Sequence, residues 1–129
     1  MSLAFLQQDT KMDQELRKTG KLGEDIAAEY LRQNGYEIIE QNYYYNHGEI
    51  DIVAKDGTTL VFVEVKSRRS TKFGEPEESV TPKKQELLRR TAEGYVLKRN
   101  IGEINCRFDV VSIVFGKGTS ECKILKNCF

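Results

Sequence analysis

The side chains able to do chemistry sit at alternate positions of two apolar stretches. Glu49-Ile50-Asp51-Ile52-Val53-Ala54 alternates polar with apolar residues, and Leu60-Val61-Phe62-Val63-Glu64-Val65-Lys66 follows it. Between them lies Lys55-Asp56-Gly57-Thr58, whose Asp-Gly pair is favoured in hairpin turns. Side chains two apart on a strand share a face. Glu49, Asp51 and Val53 therefore point one way, and Leu60, Phe62, Glu64 and Lys66 share a face of the next strand. With Lys55 opposite Thr58, Asp51 lies opposite Phe62 and Glu49 opposite Glu64; Asp51 is then diagonal to Glu64, about 7–8 Å away. A four-residue loop closed by Ala54 and Thr59 gives the same pairing. Three carboxylates gathered at the open end of a hairpin repel one another, and Lys66 alone cannot neutralise them. A cluster of hard oxygen donors suits Mg²⁺ or Mn²⁺. The alternative, salt bridging on an exposed sheet face, conflicts with the apolar Val53, Leu60 and Phe62 on that face.

Two helices must frame this hairpin. From Leu22 to Asn34 the period is helical, with Leu22, Ile26, Ala27, Tyr30 and Leu31 on one side and Asn34-Gly35 as the stop. Glu24 falls beside Ala28 and Leu31, at the edge of the apolar stripe, where a carboxylate needs a partner. A metal, or a water on it, would supply one; a rim glutamate turned to solvent is the other reading. Thr81 is a good N-cap with Pro82 at the first helical position, opening a helix that runs to about Arg99. Its apolar side is Leu87, Leu88, Ala92, Tyr95 and Val96, and Lys84 and Gln85 lie on that side in the first turn, placed to hold a phosphate or a water or to flank the core as ordinary polar residues. Gly94 within it implies close packing. Tyr36–Tyr45 reads as a strand, Ile104–Phe115 as a long strand, and Glu121–Leu125 as a last one after a turn at 116–119. Leu60–Val65 is apolar on both faces up to Glu64 and should be the central strand. The order α-β-β-β-α-β-β predicts an α/β layered domain, a mixed sheet flanked by helices.

The 129 residues, 31% charged and 39% hydrophobic, suit one domain with one core. Residues 1–19 read as a loose arm or frayed helix and 20–129 as the domain. Twenty basic and twenty acidic residues exclude a bulk polycation. The segment Lys66–Arg99 nevertheless holds ten basic and five acidic residues, a net +5, so a basic face toward phosphates and an ordinary solvated helix are both open. Cys106, Cys122 and Cys128 are odd in number and lack CxxC spacing, and with His47 alone to join them they read as free thiols. Neither a membrane-spanning run nor a secretory signal is visible, so the expected location is the cytoplasm.

Asp51 with Glu64-Val65-Lys66 at the end of a central strand resembles the PD-(D/E)xK nuclease signature, with Ile50 where that signature has its proline. The wider text is Gly23-Glu24, Ala27 to Leu31, Gly35-Tyr36, Asn42, His47 to Ala54, Val61 to Arg68, Phe73-Gly74 and the Thr81–Tyr95 helix. It is similar to the YraN family of bacterial proteins, a restriction-endonuclease-like group similar to archaeal Holliday-junction resolvases. The likeness covers about Lys21 to Leu125. It implies an α-β-β-β-α-β core, Asp51 and Glu64 as metal ligands and Lys66 as the catalytic lysine. Glu24 matches a helix-one glutamate that joins the metal site in the resolvase-like branch, and Gln85 a helix-two glutamine of some branches. The carbonyl of Val65 completes the expected ligand set, with Glu49 and His47 in support.

The expected activity is metal-dependent hydrolysis of phosphodiester bonds, with Mg²⁺ or Mn²⁺ as cofactor. Arg68, Arg69, Lys72, Lys83 and Lys84 are the expected contacts to backbone phosphates, which report shape rather than sequence. Branched or flapped DNA is thus as good a substrate as duplex. The expected partner is nucleic acid, DNA ahead of RNA, with no membrane and with a homodimer left open. A non-catalytic nucleic-acid-binding module of the same fold is the rival reading, and a structural part of a larger complex a third.

Overall fold

The computed structural model describes residues 11–69, 80–116 and 118–129. Helix α1 (Lys11–Gln33) leads into strands β1 (Glu37–Tyr45), β2 (Gly48–Asp56) and β3 (Thr59–Arg68), then helix α2 (Pro82–Lys98) and strands β4 (Cys106–Phe115) and β5 (Ser120–Leu125). Helical backbone starts at Lys11, well ahead of the Leu22 read from periodicity. The five strands lie in the order β1-β2-β3-β4-β5. The neighbours β3 and β4 run parallel and the other pairs antiparallel, so the sheet is mixed and α2 is the crossover between its parallel strands.

The run Leu60–Val63 is fully buried because β3 is central and both faces are covered. On one face α1 sets Ala27, Ala28 and Leu31 against Ile52, Val61, Val63 and Val111. On the other, α2 sets Leu88, Ala92 and Tyr95 against Val53, Leu60, Phe62 and Val110. Truncating a side chain as buried as Leu31 costs about 2–5 kcal/mol. Leu22 departs from expectation. It is 52% exposed, because the buried stripe of α1 is centred on Ala27, Ala28 and Leu31 and Leu22 lies off its edge.

The N-cap of α2 is Thr81, whose hydroxyl accepts from the Lys84 N–H at 3.2 Å, with Pro82 next. Gly94 gives close packing as expected: a Cβ there would stand 2.5 Å from the Tyr45 ring.

The β2–β3 register corrects the sequence reading by two residues. Asp56, not Lys55, closes the turn opposite Thr59, leaving Gly57-Thr58 as a two-residue loop with Gly57 at φ 63 in the first central position. Phe62 therefore faces Val53 instead of Asp51. Asp56 is kept in the strand by Arg107, at 2.8 Å, and Lys126, at 3.5 Å, two partners distant in the sequence.

Candidate metal centre

The recorded β2–β3 ladder runs from Asp56–Thr59 to Ile52–Val63, although both strands continue beyond it. In this register the last pair, Ile52 with Val63, stops one step short of Asp51 and Glu64. Asp51 spans the opening: its Oδ2 accepts the Val65 N–H at 2.8 Å.

Strand alternation breaks at the same point. Ile50 and Val53, an odd number of residues apart, both pack into the α2-side core, while Ile52 and Ala54 pack toward α1. Across the hairpin, Asn42 of β1 is left-handed at φ 57, between the pairs Gln41–Ile52 and Tyr43–Ile50. Glu49, Asp51 and Val53 therefore do not all share a face as strict alternation requires. The break brings Glu49 and Asp51 to Glu24 of α1, and one carboxylate oxygen from each of the three lies within 4.8 Å of the other two.

Glu64 joins from β3. It is only 8% exposed, and its Oε1 lies 3.7 Å from Lys66 Nζ. Its neighbours in charge include Lys84, from the first turn of α2, as well as Lys66 and Glu49. The site is thus closed from both layers, by Glu24 from α1 and Lys84 from α2.

Electrostatics record the crowding. Burial first, then the Glu64 charge, push the Asp51 carboxyl up to about 7, with Glu24 and Glu49 adding to the rise and the Val65 N–H opposing it. Burial also raises Glu64, against the pull of Lys84 and Lys66. Burial raises Glu24 in turn, while a hydrogen bond from the Asn42 side chain draws it back. Carboxylates held this close and partly shielded from solvent need a proton or a cation. The donors are all hard oxygens, which fits Mg²⁺ or Mn²⁺ and does not fit a thiolate-seeking ion. Cys106, Cys122 and Cys128 are unbridged.

Residues 23–113 match the model of Uncharacterised protein family UPF0102. The UPF0102 protein of Syntrophus aciditrophicus is 47% identical over 119 residues, covering 92% of this chain and 93% of the relative. That of Persephonella marina is 53% identical over 95 residues, 74% of this chain and 82% of the relative. A third, from Symbiobacterium thermophilum, is 45% identical over 114 residues, 88% and 97%. The chain belongs to the UPF0102 family. This is the family that the motif text resembles under the name YraN.

The other residues singled out in the sequence are placed unevenly around this centre. Val65 enters through its N–H, as the donor to Asp51. Gln85 turns its amide to the Val80 carbonyl at 3.0 Å, fastening the approach to α2. His47 is exposed at φ 68 and, with Asn46 at φ 44, forms the left-handed β1–β2 turn just ahead of Glu49. Arg68 ends β3 half-buried and Arg69 follows it exposed, while Lys83 and Lys84 open α2. Lys72 and Phe73-Gly74 lie outside the described residues. Much of the positive segment has intramolecular partners: Arg90 pairs with Glu86, Arg99 with Glu40 at 2.7 Å, Lys98 lies over the Tyr45 ring and Arg89 over Phe129. Among the described residues, Lys66 and Lys84 are cations that act on Glu64.

Sequence reasoning missed a buried polar group at the opposite end of the sheet. Asp109 is 0% exposed and accepts from Tyr36 Oη (2.9 Å), Arg107 Nε (2.8 Å) and the Asn127 N–H (2.9 Å). Arg107 then reaches Asp56. The available signal was an acid and a base two apart entering an apolar strand, Arg107-Phe108-Asp109-Val110-Val111.

Proposed function

We propose that the protein is a divalent-metal-dependent nuclease that hydrolyses phosphodiester bonds in nucleic acid, DNA ahead of RNA, with structured or branched DNA among its substrates. The observation that carries this reading is the convergence of Glu24, Glu49, Asp51 and Glu64 on one end of β3, with Lys66 beside Glu64. The Asp51/Glu64-x-Lys66 spacing of PD-(D/E)xK nucleases supports the same conclusion. Among the described residues, the cations acting on Glu64 are Lys84 and Lys66, beside the carboxylates of Glu24, Glu49 and Asp51.

Asp51, Glu24 and Glu49 would hold the ion, with Glu64 closing it from β3. A divalent cation so held polarises a phosphate oxygen and makes a water easier to deprotonate. The Val65 N–H fixes one oxygen of Asp51, so that carboxylate is oriented before any ligand arrives. Lys66 lies close enough to Glu64 to share the same phosphate, where its ammonium orients the attacking water and balances charge developing on the phosphoryl oxygens. Lys84, carried by the N-terminal turn of α2, adds a second positive group on the α2 side. Arg68, Arg69 and Lys83 would reach flanking phosphates.

The test is purified protein with Mn²⁺ against labelled duplex, flap, four-way-junction and RNA substrates, beside Lys66→Ala. Cleavage of at least one substrate by the wild type, with binding but no cleavage by Lys66→Ala, is expected. Binding without cleavage by the wild type would leave a binding module; neither binding nor cleavage would remove nucleic acid from the reading.

A further inference from the structure

Three consecutive tyrosines in β1 have three different fates. Tyr43 is buried, edge-on to Tyr95 with ring centroids 5.0 Å apart. Tyr45 packs where Gly94 leaves room and lies under Lys98. Tyr44 is 68% exposed, the most exposed aromatic ring among the described residues. The core has no use for it, yet its position is not casual. Its cross-strand partner in register is Glu49, whose charge acts on its hydroxyl. Glu49 belongs to the trio with Glu24 and Asp51. A flat apolar ring thus stands in solvent, across the strand pair from a member of the carboxylate trio, on an edge strand that leaves its approach open.

We infer that Tyr44 is a stacking platform for an unpaired base next to the phosphodiester held at the carboxylate centre, so that the preferred substrate carries a single-stranded segment there. The inference rests on the nuclease reading and narrows it. Aromatic rings near a phosphate-binding track take up single strands by stacking, whatever the base, because every base has a π-face. Within a duplex those faces are covered by neighbouring pairs, and only a splayed or flapped strand offers one to Tyr44.

The test is fluorescence anisotropy in Ca²⁺, a hard cation suited to oxygen ligands, with a blunt duplex and a splayed-end duplex of equal length. Stacking one base is worth about five- to a hundredfold in affinity. The wild type should prefer the splayed end by a factor in that range, Tyr44→Ala should lose the preference, and Tyr44→Phe and Tyr44→Trp should keep it. Tyr44 is exposed, so these variants should fold, and the two aromatic ones guard against a folding artefact. A preference unchanged in Tyr44→Ala, or absent from the wild type while both DNAs bind, would overturn stacking and leave the nuclease reading standing. Loss in Tyr44→Phe as well as in Tyr44→Ala would assign the effect to the hydroxyl and overturn stacking too. No binding of either DNA by the wild type would overturn both readings.

Discussion

With its carboxyl pushed up to about 7, Asp51 without a cation keeps its proton well above the ordinary carboxylate range. Its unfolded-state value is an ordinary carboxylate's, near 3.9. Between those two values the folded chain keeps a proton that the unfolded chain releases, so stability falls as pH rises. Wild type in EDTA should therefore lose Tm relative to Asp51→Asn from about pH 4 to pH 7, and Mn²⁺ should restore it at the upper end. A constant difference across that range would show Asp51 ionised throughout. Glu24 poses a different question, since its carboxylate comes from another layer. Glu24→Gln keeps shape and removes charge; the metal-free protein should hold or gain Tm, as relief of crowding requires. The rise on adding Mn²⁺ should be smaller than in wild type, because a ligand stabilises in proportion to its affinity. An equal rise in both proteins would place Glu24 outside the ligand set.

At the scale of elements, β2 reaches the site only because it can lie close against α2. A Cβ on Gly48 would collide with the Thr91 hydroxyl and stand 3.1 Å from its Cβ, and Thr91 is buried with its Oγ1 bonded to the Leu87 carbonyl at 2.8 Å. Gly48→Ala should then lift the start of β2, and Glu49 with it. The expected cost is about 1–3 kcal/mol by chemical denaturation, partly recovered in Gly48→Ala with Thr91→Ala. Strict additivity of the two changes would show that they do not touch. Much of this layer was legible in advance. Leu60–Val65 read as central from apolar residues on both faces, and Thr81-Pro82 read as a helix start from its cap chemistry. The pairing of β2 with β3 was not legible, because Asp56 could belong to turn or strand, and Arg107 and Lys126, which decide it, lie far along the chain. Nor was the broken alternation at Asp51: a period of two carries no mark of the left-handed Asn42 on the neighbouring strand. Glu24 was legible from its helical angle because α1 is regular there. Glu49 could be placed among the acids but not as a member of the tightest trio, which exists only through that break.

Over the whole molecule the two ends of the central strands are built on opposite terms. At the carboxyl end of β3, where the chain leaves toward α2, like charges are gathered; open sheets with parallel strands take ligands at such ends. At the amino end, Asp109, Arg107, Tyr36 and Asp56 form a satisfied ion-pair network joining the chain before β1, β2, β4 and the chain after β5. One end gathers like charges while the other pairs opposite ones. Removing one member of a buried pair strands its partner, so Asp109→Asn should destabilise by about 3–5 kcal/mol in urea. The Mn²⁺-induced rise in Tm should stay that of wild type, since the network lies away from the carboxylates. A weakened metal response would show that the two ends are coupled.

The bond from the Val65 N–H to Asp51 makes one backbone proton a witness to the state of the centre. In amide spectra that resonance should move with the charge on Asp51, following pH when the cation is removed and saturating with Mg²⁺ when it is added. Its exchange with deuterated solvent should quicken in Asp51→Ala, while the amides of Val61 and Val63, deep in the sheet, continue to exchange at the wild-type rate. A single peak from a residue with an unreactive side chain would thus report cation occupancy without substrate, label or turnover.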